Sequence, residues 1–246
     1  MSAAPPPAPL AIVTGAGRGI GYAIAQELAR RGHRLALVAR DQNRLEEAAR
    51  RLAASRSLGT GRAAPEVETF ACDVQDAAQV RATFRKILDR PGRLEVLVNN
   101  AGVGVFAPVQ EISDADWDAT LNTNLRGVFY CSKAVIPRLR EQRGGHIINI
   151  SSLAGKNPLA GGAAYCASKW GLMGLTYSMA EDLRGYGIRA SVICPGTVQT
   201  EFSPHAGKEP QRMLQPQDVA RVVGWLLEQE EQSFVSEVLL RPTQKP

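Results

Sequence analysis

The sequence predicts an α/β protein in which one doubly wound parallel sheet carries helices on both faces. Three observations lead there. The apolar runs are short, four to six residues, and do not alternate with polar residues, which marks strands covered on both faces. They take turns with amphipathic stretches of ten or more residues, the pattern of right-handed βαβ units. A glycine-rich turn follows the first run.

Taken in order, residues 10–13 are the first strand, followed by glycines and a helical pattern of Ile20, Ala23, Ile24 and Leu28. The second run is 35–39 and the next helix 45–52. Runs at 67–71 and 94–98 read as strands with a helical stretch between them. Runs 146–150, 189–193 and 238–240 complete the sheet, and helix patterns fill 114–140, 163–185 and 216–229. Residues 1–9, with Pro5, Pro6, Pro7 and Pro9, predict a disordered or extended arm, which leaves 10–246 as a single domain. Residues 56–65, with Gly59, Gly61 and Pro65, read as a surface insertion rather than a domain boundary.

Composition narrows the function classes. A chain of 246 residues, 44% hydrophobic and 22% charged, builds one sizeable core and is neither a disordered polymer nor a disulfide scaffold. It has no uninterrupted apolar run of the roughly 18 residues that a membrane span requires. The first residues lack the basic and apolar regions of a signal peptide, so the expected location is the cytoplasm. The net charge is +5, yet Arg30, Arg31, Arg44, Arg50 and Arg51 are interleaved with Glu27, Glu46 and Glu47, as on solvated helix faces. With 6% aromatic residues and no basic-aromatic cluster, no nucleic-acid partner is expected. Cys72, Cys131, Cys166 and Cys194 form no C-x-x-C pair, so reduced thiols are expected and a metal site is not. Trp117, Trp170 and Trp225 lie in helical patterns and read as packing residues.

The turn after the first strand reads Thr14-Gly15-Ala16-Gly17-Arg18-Gly19-Ile20-Gly21. Glycines there let main chain approach a pyrophosphate at a helix N-terminus, where free N–H groups and the dipole favour anions. The spacing is T-G-x-x-x-G-x-G, not G-x-G-x-x-G, and makes Gly15, Arg18, Gly19, Ile20 and Gly21 candidate cofactor contacts. A cofactor without a 2′-phosphate calls for a carboxylate at the end of the second strand. This chain has Ala39 and then Arg40, whose guanidinium suits a 2′-phosphate, with Arg18 as a second positive contact. NADP(H) is therefore favoured over NAD(H), and Asp41 is assigned to capping the next helix.

Tyr165-Cys166-Ala167-Ser168-Lys169 sets a phenol and an ammonium four apart, on one helix face. Ser152 follows the strand ending at Ile150, Asn99-Asn100-Ala101-Gly102 follows another strand, and Asn124 lies in the helical stretch between them. The carboxyl ends of parallel strands share one edge, so these groups converge on one crevice. With Asp73 after the third strand and Pro195-Gly196-Thr197-Val198-Gln199-Thr200, the motifs from about 10 to 240 resemble those of short-chain dehydrogenase/reductases of about 250 residues. The resemblance implies a Rossmann-like domain and reversible hydride transfer between nicotinamide and a carbonyl or secondary alcohol. In it Tyr165 is the general acid/base, Ser152 the hydrogen bond to the substrate oxygen, and Asn124 the holder of a water beside Lys169. Ser151 is the rival serine. Asp73 and Val74 would then hold the adenine, Asn100, Ala101 and Gly102 would flank the adenosine ribose and pyrophosphate, and Pro195, Gly196, Val198 and Thr200 would fix the carboxamide. Tyr165 and Lys169 count among the cofactor contacts too, Lys169 through the nicotinamide ribose hydroxyls.

The resemblance also implies a homodimer or homotetramer through the apolar faces near 117–140 and 165–185. Phe202 and His205 are candidate substrate contacts. Two other functions compete. One is a 3-oxoacyl-[acyl-carrier-protein] reductase, with Arg138, Arg140 and Arg143 attracting an acidic carrier and a carrier-linked acyl chain as substrate. The other is a non-catalytic NADP-binding sensor or scaffold, whose members usually lack the tyrosine–lysine pair kept here.

Overall fold

A computed structural model of the chain describes residues 7–54, 65–202 and 209–245. The strands are β1 (Leu10–Thr14), β2 (Arg34–Ala39), β3 (Val67–Ala71), β4 (Leu94–Asn99), β5 (Gly145–Ile150), β6 (Ile188–Pro195) and β7 (Glu237–Leu240). They pair in parallel in the order β3-β2-β1-β4-β5-β6-β7, so the strand order reverses between β1 and β4. The helices are α1 (Gly19–Arg30), α2 (Gln42–Ala54), α3 (Ala77–Leu88), α4 (Asp114–Leu121), α5 (Gly127–Glu141), α6 (Ala163–Arg184) and α7 (Pro216–Leu227). The Rossmann-like α/β class expected from the apolar runs is the class found.

The two faces of the sheet explain why those runs are continuous. On β1, Ala11 and Val13 point to a layer built by Ile24 and Leu28 of α1, Leu45 of α2 and Val223 of α7. Leu10 and Ile12 point to the opposite layer, with Val80 and Phe84 of α3, Val135 of α5 and Leu183 of α6. Both sets are excluded from water, so neither position tolerates a polar residue. The pairing of β1 with β4 slips by one residue at Glu95, between Leu94 and Val96. That bulge frees Glu95 to reach His33 Nε2 at 2.9 Å, and the hydrogen bond holds its carboxyl below the ordinary range.

Two sequence readings are corrected. The helix expected over 114–140 is interrupted by a π-helical turn at Asn122–Arg126, which 3.6-residue periodicity does not report. Trp117, Trp170 and Trp225 are exposed rather than packed, because periodicity places a residue on a face without saying whether that face is covered. In the expected N-terminal arm, Arg34 donates its main-chain N–H to Pro9 O (2.9 Å) and its Nε to Ala8 O (3.1 Å). Residues 1–6, residues 56–64 of the insertion, and His205 lie outside the described residues.

Candidate active site

The reversal between β1 and β4 opens a cleft of about 820 Å³ at the carboxyl edge of the sheet. Its two central loops are latched together. The Thr14 hydroxyl accepts the main-chain N–H groups of Asn100 (3.0 Å) and Ala101 (3.1 Å). In return, the Asn100 side-chain amide donates to the carbonyls of Thr14 (3.0 Å) and Gly15 (3.2 Å). Gly15 takes a φ of 65°, in the left-handed region that disfavours a side chain. A β-carbon on Gly21 would stand 2.2 Å from Gly15 O and 2.5 Å from Asn100 Nδ2, so only glycine lets α1 start against this turn.

The N-terminus of α1 differs from those of its neighbours. Asp76 caps α3 through the N–H groups of Ala78 (2.8 Å) and Gln79 (3.1 Å), Ser113 caps α4, and Asp41 caps α2 by accepting the Arg44 N–H (3.1 Å). Arg18, at the cap position of α1, makes no side-chain cap, and Gly19 and Ile20 border the cleft. Unfilled first-turn N–H groups at a cleft wall are a site for an anion. Three arginines stand at this end: Arg18 pairs with Glu201, Arg44 pairs with Asp41 at 3.2 Å, and Arg40 has no side-chain partner among the described residues.

At the other end, α6 brings Tyr165 and Lys169 to the cleft wall. Lys169 Nζ donates to Ile150 O at 2.9 Å and lies 5.7 Å from the centre of the Tyr165 ring. The Ser152 hydroxyl accepts the Ala154 N–H (3.1 Å) and stands near enough to Tyr165 to favour the ionised phenol. Ser151, which borders the cleft, donates its hydroxyl to Lys169 O at 3.4 Å. Burial dominates both titrations. It pushes the Tyr165 phenol up to about 12, against the nearby Ser152 hydroxyl, and brings the Lys169 ammonium down to about 8. Asn124, carried inward by the π-helical turn, accepts the Val103 N–H (2.8 Å) and donates to Val103 O (2.8 Å) and Ser168 Oγ (3.0 Å). Gly102 sits against this group: a β-carbon there would lie 3.2 Å from Asn124 Oδ1 and 3.9 Å from Lys169 Nζ.

Gly15, Arg18, Gly19, Ile20, Arg40, Asn100, Ala101, Gly102, Tyr165, Lys169 and Thr200 thus all border one cleft. Gly21, Asp73, Val74, Asn124, Ser152, Pro195, Gly196 and Val198 do not line it. Asp73 folds its carboxylate onto the Gln75 N–H (3.0 Å), and Val74 is buried. Gly196 N–H bonds Leu240 O (2.8 Å), and Val198 pairs with Leu214. Sequence reasoning missed Arg44, Glu201 and Phe106. Arg44 had a signal, since it sits in the first turn of the helix Asp41 caps; a β-carbon on Gly17 would lie 3.2 Å from Arg44 Cβ. Behind the site, Asn99 Nδ2 donates to Ser132 Oγ (3.1 Å) and Asn149 Oδ1 (2.9 Å), and Asn149 Nδ2 donates to Thr176 Oγ1 (2.8 Å). This buried network ties β4 and β5 to α5 and α6.

A parallel sheet with a glycine cradle at its reversal point and a buried tyrosine–lysine pair beside it defines a class of oxidoreductase acting on CH–OH groups. The chain belongs to the short chain dehydrogenase family, whose model matches residues 9–211. It is 41% identical to a D-threitol dehydrogenase of Mycolicibacterium smegmatis over 82% of this chain and 74% of that one. Among solved structures, it is similar to a metagenomic short-chain oxidoreductase in complex with NADP, with 43% identity and a TM-score of 0.83 over 96% of this chain and 98% of the other. An alcohol dehydrogenase of the archaeon Thermococcus sibiricus, complexed with 5-hydroxy-NADP, shares 33% identity with a TM-score of 0.86 over 97% and 98% of the two chains.

Proposed function

We propose that the protein is an NADP(H)-dependent carbonyl reductase, working reversibly on the corresponding secondary alcohols, with Tyr165 as general acid/base. One observation carries the reading: Tyr165 and Lys169 meet at one end of a cleft whose other end holds Arg18 and Arg40. The cradle made by Gly15 and Gly21 and the uncapped α1 suit a pyrophosphate, and Arg40, with no side-chain partner among the described residues, suits a 2′-phosphate. Two of the similar solved structures carry NADP or a derivative of it, which supports the same choice. Asp73 and Val74 would hold the adenine, Asn100 to Gly102 the adenosine ribose and pyrophosphate, and Pro195 to Thr200 the carboxamide. Lys169 would hold the nicotinamide ribose.

Bound NADP(H) supplies or accepts the hydride. The rest is work for this chain's side chains. Burial keeps the Tyr165 phenol protonated, the state needed to deliver a proton to a carbonyl oxygen. Ser152 would hold the same oxygen. The Lys169 ammonium beneath the ring stabilises the phenolate left behind. Asn124, fixed by three hydrogen bonds, would hold a water that returns the proton from solvent by way of Lys169.

Of the three arginines a carrier protein would use, Arg138 and Arg140 are engaged within the chain and Arg143 is exposed. Arg138 donates to Leu88 O (2.7 Å), and Arg140 bonds the Tyr186 hydroxyl (2.9 Å) and stacks on its ring. We therefore favour free ketones and aldehydes over carrier-linked acyl groups. Exposed Trp117, Phe129, Trp170 and Tyr177 on α4, α5 and α6 support a homodimer or homotetramer through these helices. The reading is tested by following NADPH oxidation over acetoacetyl thioesters, diketones and aromatic aldehydes, with NADH in parallel. Turnover of the free carbonyls with NADPH is expected. Tight NADPH binding without turnover on any carbonyl would point to the sensor instead.

A further inference from the structure

Two of the loops around Tyr165, 103–108 and 153–162, present apolar side chains and use their polar ones elsewhere, while the loop that carries Phe202 also brings Gln199, Thr200 and Glu201 to the cleft. Phe106 and Phe202 both rest tilted against the Tyr165 ring, with centroids at 5.5 and 5.8 Å and interplanar angles of 57° and 50°. Tyr165 is 8% exposed beneath them, whereas Phe106 is 37% and Phe202 40% exposed, so the rings that cover the phenol are themselves open to solvent. Leu159, on a third loop, is 46% exposed. Single apolar residues on a surface are ordinary, but two rings from two loops on one reactive phenol are a wall.

The wall is built rather than incidental. The Ala107 N–H donates to Gly161 O at 2.8 Å, which joins the loop carrying Phe106 to the loop carrying Leu159. A β-carbon on Gly104 would lie 2.9 Å from Phe106 and 3.2 Å from Phe202, so the absence of a side chain there is what lets both rings converge. Residues 103–108 contain no polar side chain at all. Between 153 and 162 the polar side chains are Lys156 and Asn157. Lys156 Nζ is held by Tyr177 Oη (3.0 Å) and Glu237 (2.9 Å), and Asn157 Nδ2 by Leu153 O (3.1 Å). A substrate rich in hydroxyls would lose its water against these two loops without gaining partners from them, whereas a flat apolar group would meet ring faces and edges.

Resting on the reductase reading above, we infer that Phe106 and Phe202 are the specificity-determining residues of the site. Its substrates are ketones with a flat apolar substituent, an aryl group above all, beside the carbonyl. Polyhydroxylated ketones are discriminated against.

The test compares NADPH-dependent kcat/KM for acetophenone and for 1,3,4-trihydroxybutan-2-one in the wild type, Phe106→Ala and Phe202→Ala. Alongside it, calorimetric titration of 1-phenylethanol and of threitol into the cofactor-free protein reads binding without turnover. In the wild type acetophenone should lead by about 100-fold or more. Each alanine variant should lower that ratio about 10- to 100-fold, chiefly through KM, and weaken 1-phenylethanol binding in step. Both rings are largely on the surface, so melting temperatures should hold and exclude misfolding as the cause. Equal rates on the two ketones, or a ratio unmoved by both variants, would overturn the inference while leaving the reductase reading standing. Were neither ketone reduced, nor any other carbonyl, the reductase reading would fall, and the titrations would still decide this one: threitol binding as tightly as 1-phenylethanol overturns it.

Discussion

At the glycine-turn end of the cleft the working surface is main chain. Gly15 and Gly21 clear space, Thr14 and Asn100 latch the loops, and α1 presents uncapped N–H groups. At the Tyr165 end it is side chains, withdrawn from water until their proton affinities move: the phenol upward, the ammonium downward. The first end works by what is absent, and its main-chain cradle does not titrate, although Arg18, Arg40 and Arg44 stand beside it. The second works by charge held where charge is unfavourable, and it carries an energetic cost that depends on pH. The two ends should therefore fail separately.

Tyr165→Phe has the largest expected effect, a loss of about 100- to 10,000-fold in kcat, the range typical of a removed general acid. NADPH should still bind within a few-fold of wild type, as read by nucleotide fluorescence. A parallel collapse of binding would mean that the ends are not separable. Gly21→Ala should do the reverse, driving a methyl group into Gly15 O and Asn100. We expect a loss of about 1–3 kcal/mol in urea unfolding together with weakened NADPH binding. A variant as stable as wild type would show that the latch yields easily.

Arg40→Asp sharpens the same contrast within the cofactor end. It should lower the NADPH-to-NADH preference about 10- to 100-fold, the effect of removing one charge-assisted hydrogen bond, with kcat on the better cofactor little changed. An unmoved ratio would assign the 2′-phosphate to other residues.

The smallest effect is a slope. Lys169 titrates near 8 in the folded chain and near 10.4 when unfolded, so between those values the unfolded state binds more protons and stability rises with pH. Tyr165, near 12 folded and about 10 unfolded, holds its proton longer in the native state and loses stability above pH 10. Urea unfolding of Lys169→Met across pH 7–11 should remove the rise and keep the fall. A rise that survives the substitution would place the titrating group elsewhere.

The interior of the sheet was legible because each buried strand must be apolar on both faces, and β4 and β5 lie within one residue of the boundaries their apolar runs predict. The glycine turn and the Tyr165–Lys169 spacing were legible for a similar reason: one needs missing β-carbons in one order, the other a single helical turn. The π-helical turn at Asn122–Arg126 was not, since nothing in apolar periodicity distinguishes it from the helix on either side.

The sequence by itself thus determined the class of the sheet, the edge at which the site lies, and which tyrosine and lysine share a helix face. These are local properties, set by periodicity, by glycine, and by the rule that parallel strands end on one side. Only the tertiary structure decided that the Ser151 hydroxyl is committed to the Lys169 carbonyl, that Arg40 has no side-chain partner among the described residues while Arg18 and Arg44 have one, and that Phe106 and Phe202 close over Tyr165. Those facts depend on which distant segments meet and how far water is excluded between them, and neither is encoded by any residue alone.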